Sequence, residues 1–273
     1  MTETMFENMN NAFVQSLSEN PEVVYDKKFV KTVSEPAAAA VQSDMCNRTP
    51  IDQPLPAPIV NALNLALLAD SLEAEFYSIG LNTPGLIPNE LRQVFVRILL
   101  NEVCHREILL TVLGENAIPK PTFDFTARGQ TQGAFVLFDI FVNLARAFED
   151  NGVRAIKGQA GNVQSDDFVL TTALRFHSVE ARHASELRRI AGLKGWITLN
   201  NRGNLPEFAQ GIYDGEENVV QGGINLVTLT GYPATTVSEA FDEPLTEFQV
   251  RQNVAPFIRR RRRRNNGDDN SQN

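Results

Sequence analysis

Cysteine is nearly absent from this chain: Cys46 and Cys104 are too few for a disulfide framework, which fits a reducing compartment. The missing thiolates also speak against a structural zinc or iron–sulfur site. No run approaches the ~18 uninterrupted apolar residues that a membrane span needs. The segment Ala62-Leu-Asn-Leu-Ala-Leu-Leu-Ala69 is far too short. The N-terminus lacks a basic stretch leading into an apolar one, its first lysine being Lys27, so the sequence predicts no secretory signal and a cytoplasmic location. Positive charge is in the minority. A net charge of −8 argues against a broadly basic, nucleic-acid-binding body. What remains is ordinary soluble composition, 42% hydrophobic and 21% charged over 273 residues, enough for one sizeable core.

The punctuation of the chain predicts its organisation. Residues 1–56 read as an N-terminal arm in which Met5, Phe6, Met9, Phe13 and Leu17 could share one face of a short helix. Pro50, Pro54, Pro56 and Pro58 then precede four long helical patterns: about 59–81, about 89–113, about 132–159, and one running from Ser165 to Gly192. Ser165 is the expected N-cap of the fourth, with Asp166 and Asp167 in its first turn. Short connections predict that helices one and two, and three and four, are antiparallel neighbours. The 17-residue link from Glu115 to Thr131 can extend ~56–60 Å, more than the ~37 Å of a 25-residue helix. It can therefore cross the whole assembly, leaving helices two and three pointing the same way. The domain reading is thus a four-helix unit over 57–193, an irregular extension over 194–257 packed on it, and a disordered Arg-rich tail over 258–273. In the extension, the β-rich run 224–229 suggests a hairpin.

Histidine is almost as rare as cysteine, yet two of the three histidines fall in the same word. Glu102-Val-Cys-His105 and Glu180-Ala-Arg-His183 are both E-x-x-H, and residues i and i+3 share a helix face. Each word lies in an apolar stripe: Phe95, Ile98, Glu102, His105, Leu109 in helix two, and Ala173, Phe176, Glu180, His183, Leu187 in helix four. Helix three places Glu149 in its stripe and helix one places Asp70. An unpaired buried carboxylate is costly, and no lysine or arginine occupies these stripes, so divalent metal is the natural counter-charge. The halves also repeat: Asp70 precedes Glu102 by 32 residues and Glu149 precedes Glu180 by 31. His177, one turn before Glu180, reads as a core or flanking histidine rather than as a further ligand.

This pattern resembles the ferritin-like di-iron and di-manganese carboxylate proteins, in which two helices give one Glu each and two give Glu-x-x-His. Leu72-Glu-Ala-Glu-Phe-Tyr77, Pro121-Thr-Phe-Asp-Phe125, Glu149-Asp-Asn-Gly-Val153, Val179-Glu-Ala-Arg-His183 and Phe241-Asp-Glu-Pro-Leu-Thr246 resemble the branch that includes desiccation-related and stress-associated proteins. The resemblance implies an all-α, ferritin-like four-helix bundle with a long crossover between helices two and three and irregular terminal extensions. It implies Asp70, Glu102, His105, Glu149, Glu180 and His183 as ligands of two Fe or two Mn ions, with Tyr77 as a hydroxyl donor beside them. Two departures stand out. The acid seven residues before the tyrosine is Asp70 where the family has Glu, with Glu73 as a possible substitute. The equivalent tyrosine position on helix three is Ile156, which removes a hydroxyl expected to orient Glu149.

Such a pair of ions can exchange two electrons with O2 or peroxide, which points to a ferroxidase- or catalase-like oxidoreductase acting in oxidative or desiccation stress. The alternative is a non-catalytic stress or scaffold protein with a degenerate site. The arginine run Arg259 to Arg264 could touch nucleic acid or an anionic surface electrostatically. A homodimer is one assembly compatible with the sequence.

Overall fold

The computed structural model describes residues 54–259. The expected helix over Met5 to Leu17 and all of the arginine run except Arg259 lie outside the described residues. Four long helices dominate: α1 (Ala57–Asn82), α2 (Arg92–Leu113), α3 (Phe138–Val163) and α4 (Asp167–Ile190). Among the described residues, no helix is long and apolar enough to cross a membrane.

Local chemistry sets the ends of these helices. Proline in the first turn of α1 suits a position whose N–H has no helical partner, and α1 stops where Thr83 turns extended ahead of Pro84. α4 is capped by Asp166, not Ser165. The Asp166 carboxylate accepts from the backbone N–H groups of Phe168 and Val169, at 2.9 and 3.0 Å. α3 begins at Phe138, six residues later than the apolar pattern suggests. Gly133 (φ +85°) opens a turn closed by hydrogen bonds from Val136 and Leu137 to its carbonyl, and extended Leu137 then caps the helix. The apolar residues at 134–137 mimic helical spacing without being helical.

Cross-helix contacts fix the directions. Leu63, near the start of α1, clusters with Leu109 near the end of α2, while the Arg92 guanidinium reaches the Leu81 carbonyl at the other end. Phe141 packs over Gly80, and Leu65 clusters with Ala155, so α1 and α3 are also antiparallel. Asp150 pairs with Arg188, and Val163 meets Val169, so α3 and α4 oppose each other as well. α2 and α3 therefore run in the same direction, as the long crossover requires. The crossover is pinned near its middle: Phe123 bridges Ile258, Asp124 N–H donates to the Phe257 carbonyl (2.7 Å), and Arg259 N–H donates to the Thr122 carbonyl (2.9 Å).

The two ends of the four-helix unit differ in chemistry. One is aromatic, with the rings of Phe76, Phe95, Phe125, Phe141 and Phe148 in mutual contact. Gly80 makes this possible, because any Cβ there would meet the Phe141 ring. The other end is aliphatic, built on Ile59, Leu63, Leu67, Leu109, Val163 and Val169. A layer of acids and imidazoles separates them.

After α4 the chain forms a two-stranded hairpin, β1 (Val220–Gln221) and β2 (Ile224–Asn225), turning through Gly222 and Gly223. The β-rich run does not continue as strand. Asn225 caps the Thr228 N–H and Leu226–Thr230 forms the short helix α5, ended by left-handed Gly231. Helices α6 (Ala234–Ser238) and α7 (Glu247–Val254) follow, the latter opened by a Thr246/Gln249 capping box.

Arginines that escaped the stripe reading hold this segment against α3. Arg154, 1% exposed, pairs with Glu216 at 2.7 Å and donates to the carbonyls of Ile212, Asp214 and Glu243. Asp150 accepts from Arg188 and from the Tyr213 hydroxyl, both at 2.8 Å. The Leu245 backbone docks directly on α3, its N–H donating to the Arg154 carbonyl and its own carbonyl lying over Gly158. Alanine at 158 would drive its Cβ into that carbonyl. Gly158→Ala is therefore expected to lose about 1–3 kcal/mol in urea denaturation, although alanine is the better helix former by ~1 kcal/mol.

Candidate metal centre

The acid layer is built by one turn from each long helix. α1 contributes Asp70 and Glu73, α2 Glu102 and His105, α3 Glu149, and α4 Glu180 and His183, each no more than 6% exposed. Glu102 and Glu180 lie between the two imidazoles. Glu180 Oε1 is 2.9 Å from His105 Nδ1, and Glu180 Oε2 is 3.9 Å from His183 Nδ1. Glu102 Oε1 is 2.9 Å from His183 Nδ1, and Glu102 Oε2 is 3.5 Å from His105 Nδ1. Glu149 Oε2 is 3.2 Å from His183 Nδ1. The E-x-x-H glutamates thus reach across to each other's histidine.

Two sets of donors are compact enough to hold an ion: Glu102, Glu149, Glu180 and His183, and Asp70, Glu102 and His105. All six ligands expected from sequence belong to these sets, and Glu102 belongs to both. His177 belongs to neither and is half-buried.

Supporting contacts orient the ligands. The Tyr77 hydroxyl donates to Glu149 Oε1 at 2.5 Å, from α1 to α3. This corrects the expectation drawn from Ile156: Glu149 is not short of a hydroxyl. Tyr77 supplies it across the α1–α3 contact, whereas Ile156 lines an apolar cavity. His183 Nε2 lies 3.1 Å from Asn101 Oδ1, so Asn101 fixes the ring with Nδ1 facing the acids. Asn101 went unnoticed in the sequence, although it immediately precedes Glu102. On the other side the Phe176 ring stacks on His105, with centroids 4.2 Å apart.

Burial is the strongest single influence on the charges. It lifts Asp70, Glu73 and Glu149 well above the carboxylate range, and neighbouring acids add to the rise. Burial pushes Glu102 up too, but the imidazoles of His105 and His183 outweigh it and hold that carboxyl at about 2. Both imidazoles are pulled down by burial and then raised further by the acids, His183 to about 11 and His105 well above its ordinary value. Without metal, Asp70, Glu73, Glu149 and the two imidazoles hold their protons more tightly than they would in water.

The donors also fit a cation better than they fit each other. Asp70 Oδ2, Glu73 Oε2, both oxygens of Glu102, both of Glu180 and His105 Nδ1 are buried without a hydrogen-bond partner. Several lie within 3 Å of an opposite group without forming a hydrogen bond to it. Native proteins seldom leave buried polar atoms in this condition, and this cluster of acids and imidazoles could hold a metal ion. Oxygen and imidazole donors without sulfur are the set preferred by iron or manganese.

Residues 59–193 match the family model described as ferritin-like domain. No curated protein and no solved structure matches the chain. With four long helices contributing to one buried cluster of glutamates and histidines that could hold metal, residues 59–193 of this chain are a ferritin-like domain.

Proposed function

We propose that the chain binds a dinuclear iron or manganese centre and uses it in redox chemistry with O2, as a ferroxidase-like oxidoreductase. The observation that carries this reading is the convergence of buried, unpartnered carboxylate oxygens on two imidazole Nδ1 atoms. Asp70 and His105 would hold one ion, Glu149 and His183 the other, and Glu102 and Glu180 would reach both. A reduced pair of such ions, when bound, supplies two electrons to O2 or peroxide. The protein's part is to orient Glu149 through Tyr77, to fix His183 through Asn101, and to exclude bulk water with the aromatic end.

The aliphatic end favours O2 over peroxide. A cavity of about 40 Å³ lies there, lined by apolar side chains that include Ala62, Ala66, Ile156, Ala173 and Phe176. Phe176, which lines the cavity, is also the ring stacked on His105, so the cavity adjoins the site at that ring. An apolar cavity near 150 Å³ holds benzene, whereas a water's share of liquid is ~30 Å³. This one suits a diatomic gas, and Gln159 and Thr172 are the two polar side chains in a lining that is otherwise apolar. A role in oxidative or desiccation stress rests on the sequence words quoted above.

The test is to load the purified chain with Fe(II) without oxygen, then follow O2 uptake and iron oxidation together. Coupled uptake is expected, and Ala173→Leu, which fills the cavity, should slow reaction with O2 but not with peroxide. Bound metal that consumes neither oxidant would overturn the redox reading. It would instead favour a non-catalytic protein, the reading prompted by Asp70 on helix one and Ile156 on helix three.

A further inference from the structure

We infer that Glu73 is a seventh protein ligand, so that helix α1 serves both ions and the centre carries five carboxylates. This rests on the dinuclear reading above and deepens it. Asp70 and Glu73 are three residues apart and share the face of α1 that meets the acid layer. Glu73 is 1% exposed, and its Oε2 has no hydrogen-bond partner. No arginine or lysine forms an ion pair with it among the described residues.

Its position is set by a glycine on the facing helix. A Cβ at Gly152 would stand 3.3 Å from Glu73 Oε1 and 3.6 Å from Glu180 Oε2. The absence of that carbon leaves room for both carboxylates one turn beyond Glu149. Glycine inside a helix costs ~0.8–1 kcal/mol relative to alanine, so its use in the middle of α3 calls for a reason. The space it opens beside two buried acids supplies one.

The same geometry tells which ion Glu73 serves. Glu180 Oε1 is the oxygen facing His105, at 2.9 Å, and Oε2 is the one nearer His183. Glu73 Oε1 and Glu180 Oε2 both border the space over Gly152, which puts Glu73 on the His183 side. Asp70 groups with Glu102 and His105, on the other. The shorter aspartate is therefore no defect in a one-ligand scheme: α1 divides the work between two acids. Five carboxylates exceed the charge of two divalent ions by one, so this centre should favour one ion in the trivalent state more than a four-carboxylate centre does.

The experiment titrates the metal-stripped full chain with Mn(II), counting free Mn(II) by electron paramagnetic resonance. The wild type should take up two ions. Glu73→Gln should keep one and bind the second roughly tenfold or more weakly, since even outer contacts at metal sites are worth ~10–100-fold. Asp70→Asn should weaken the other ion. Gly152→Ala keeps every ligand and adds a helix-favouring methyl, yet should weaken the same ion as Glu73→Gln by crowding that carboxylate. It therefore serves if Glu73→Gln folds poorly. Two ions bound unchanged in both Glu73→Gln and Gly152→Ala would overturn the assignment alone. A wild type that takes up no Mn(II) would overturn the metal centre itself, and the assignment with it.

Discussion

Glu102→Ala is expected to abolish binding of both ions together, leaving metal near zero in mass spectrometry of protein purified from iron- or manganese-supplemented cells. Glu102 is the one acid common to both compact donor sets, and its two oxygens face different imidazoles. Removing an acid on one side only, such as Asp70 or Glu149, should leave one ion. The loss at Glu102 is compounded because it leaves Glu180 as the single acid that His105 and His183 still share. Breaking a buried charge pair typically costs ~3–5 kcal/mol, so circular dichroism must first show that the variant keeps its helices. Glu102→Gln, nearly isosteric, should fold better and still lose most of its metal. A metal content equal to wild type in both variants would remove the basis for a centre here.

Metal uptake at neutral pH should release several protons. Burial lifts Asp70, Glu73 and Glu149 above their ordinary values and the acids raise both imidazoles, so the metal-free fold holds these protons more tightly than water does. Metal binds only the deprotonated forms. Each displaced proton makes affinity climb ~10-fold per pH unit, so binding should collapse between neutral pH and mildly acidic solution.

The stability of the metal-free chain should move the opposite way. Acids with raised folded values contribute fully below ~pH 4 and less as pH rises. The imidazoles contribute fully below ~6.5 and are lost as pH rises, for His183 through about 11. Among the shifted groups of the acid layer, Glu102, held at about 2, runs the other way, its contribution lost as pH falls through that value. Metal-free protein should therefore melt at lower temperature from pH 6 to pH 9, and the stabilisation gained from metal should grow over the same interval. A metal effect on melting that is flat with pH would contradict the protonation scheme.

Much of this site was legible in the sequence because helical spacing turns residue order into geometry. Two E-x-x-H words, Glu149 and the near-equal 32- and 31-residue intervals are enough to bring four helices to one point. The crossover was legible from length alone. What escaped depends on contacts between helices. Glu73 is legible in the sequence only as a substitute for Asp70, and its place beside Asp70 in the same layer depends on Gly152 of another helix. The hydroxyl behind Glu149 comes from Tyr77 because α1 faces α3, and order along the chain does not report this. Reading one stripe per helix also hid the second buried face of α3, where Arg146, Asp150 and Arg154 are almost fully enclosed. Ser165 and Asp166 are both good caps by composition, and the chain path at 163–167 decides between them.

The clearance at Gly152 also bears on how such sequences can drift. An acid at position 73 is crowded by any side chain at position 152, while a chain with a smaller residue at 73 could accept alanine at 152 and gain helix stability. The two positions, on different helices and 79 residues apart, should therefore covary among relatives: glycine with acid, alanine without. A pairwise signal between them, readable from an alignment alone, would mark which relatives carry a fifth carboxylate.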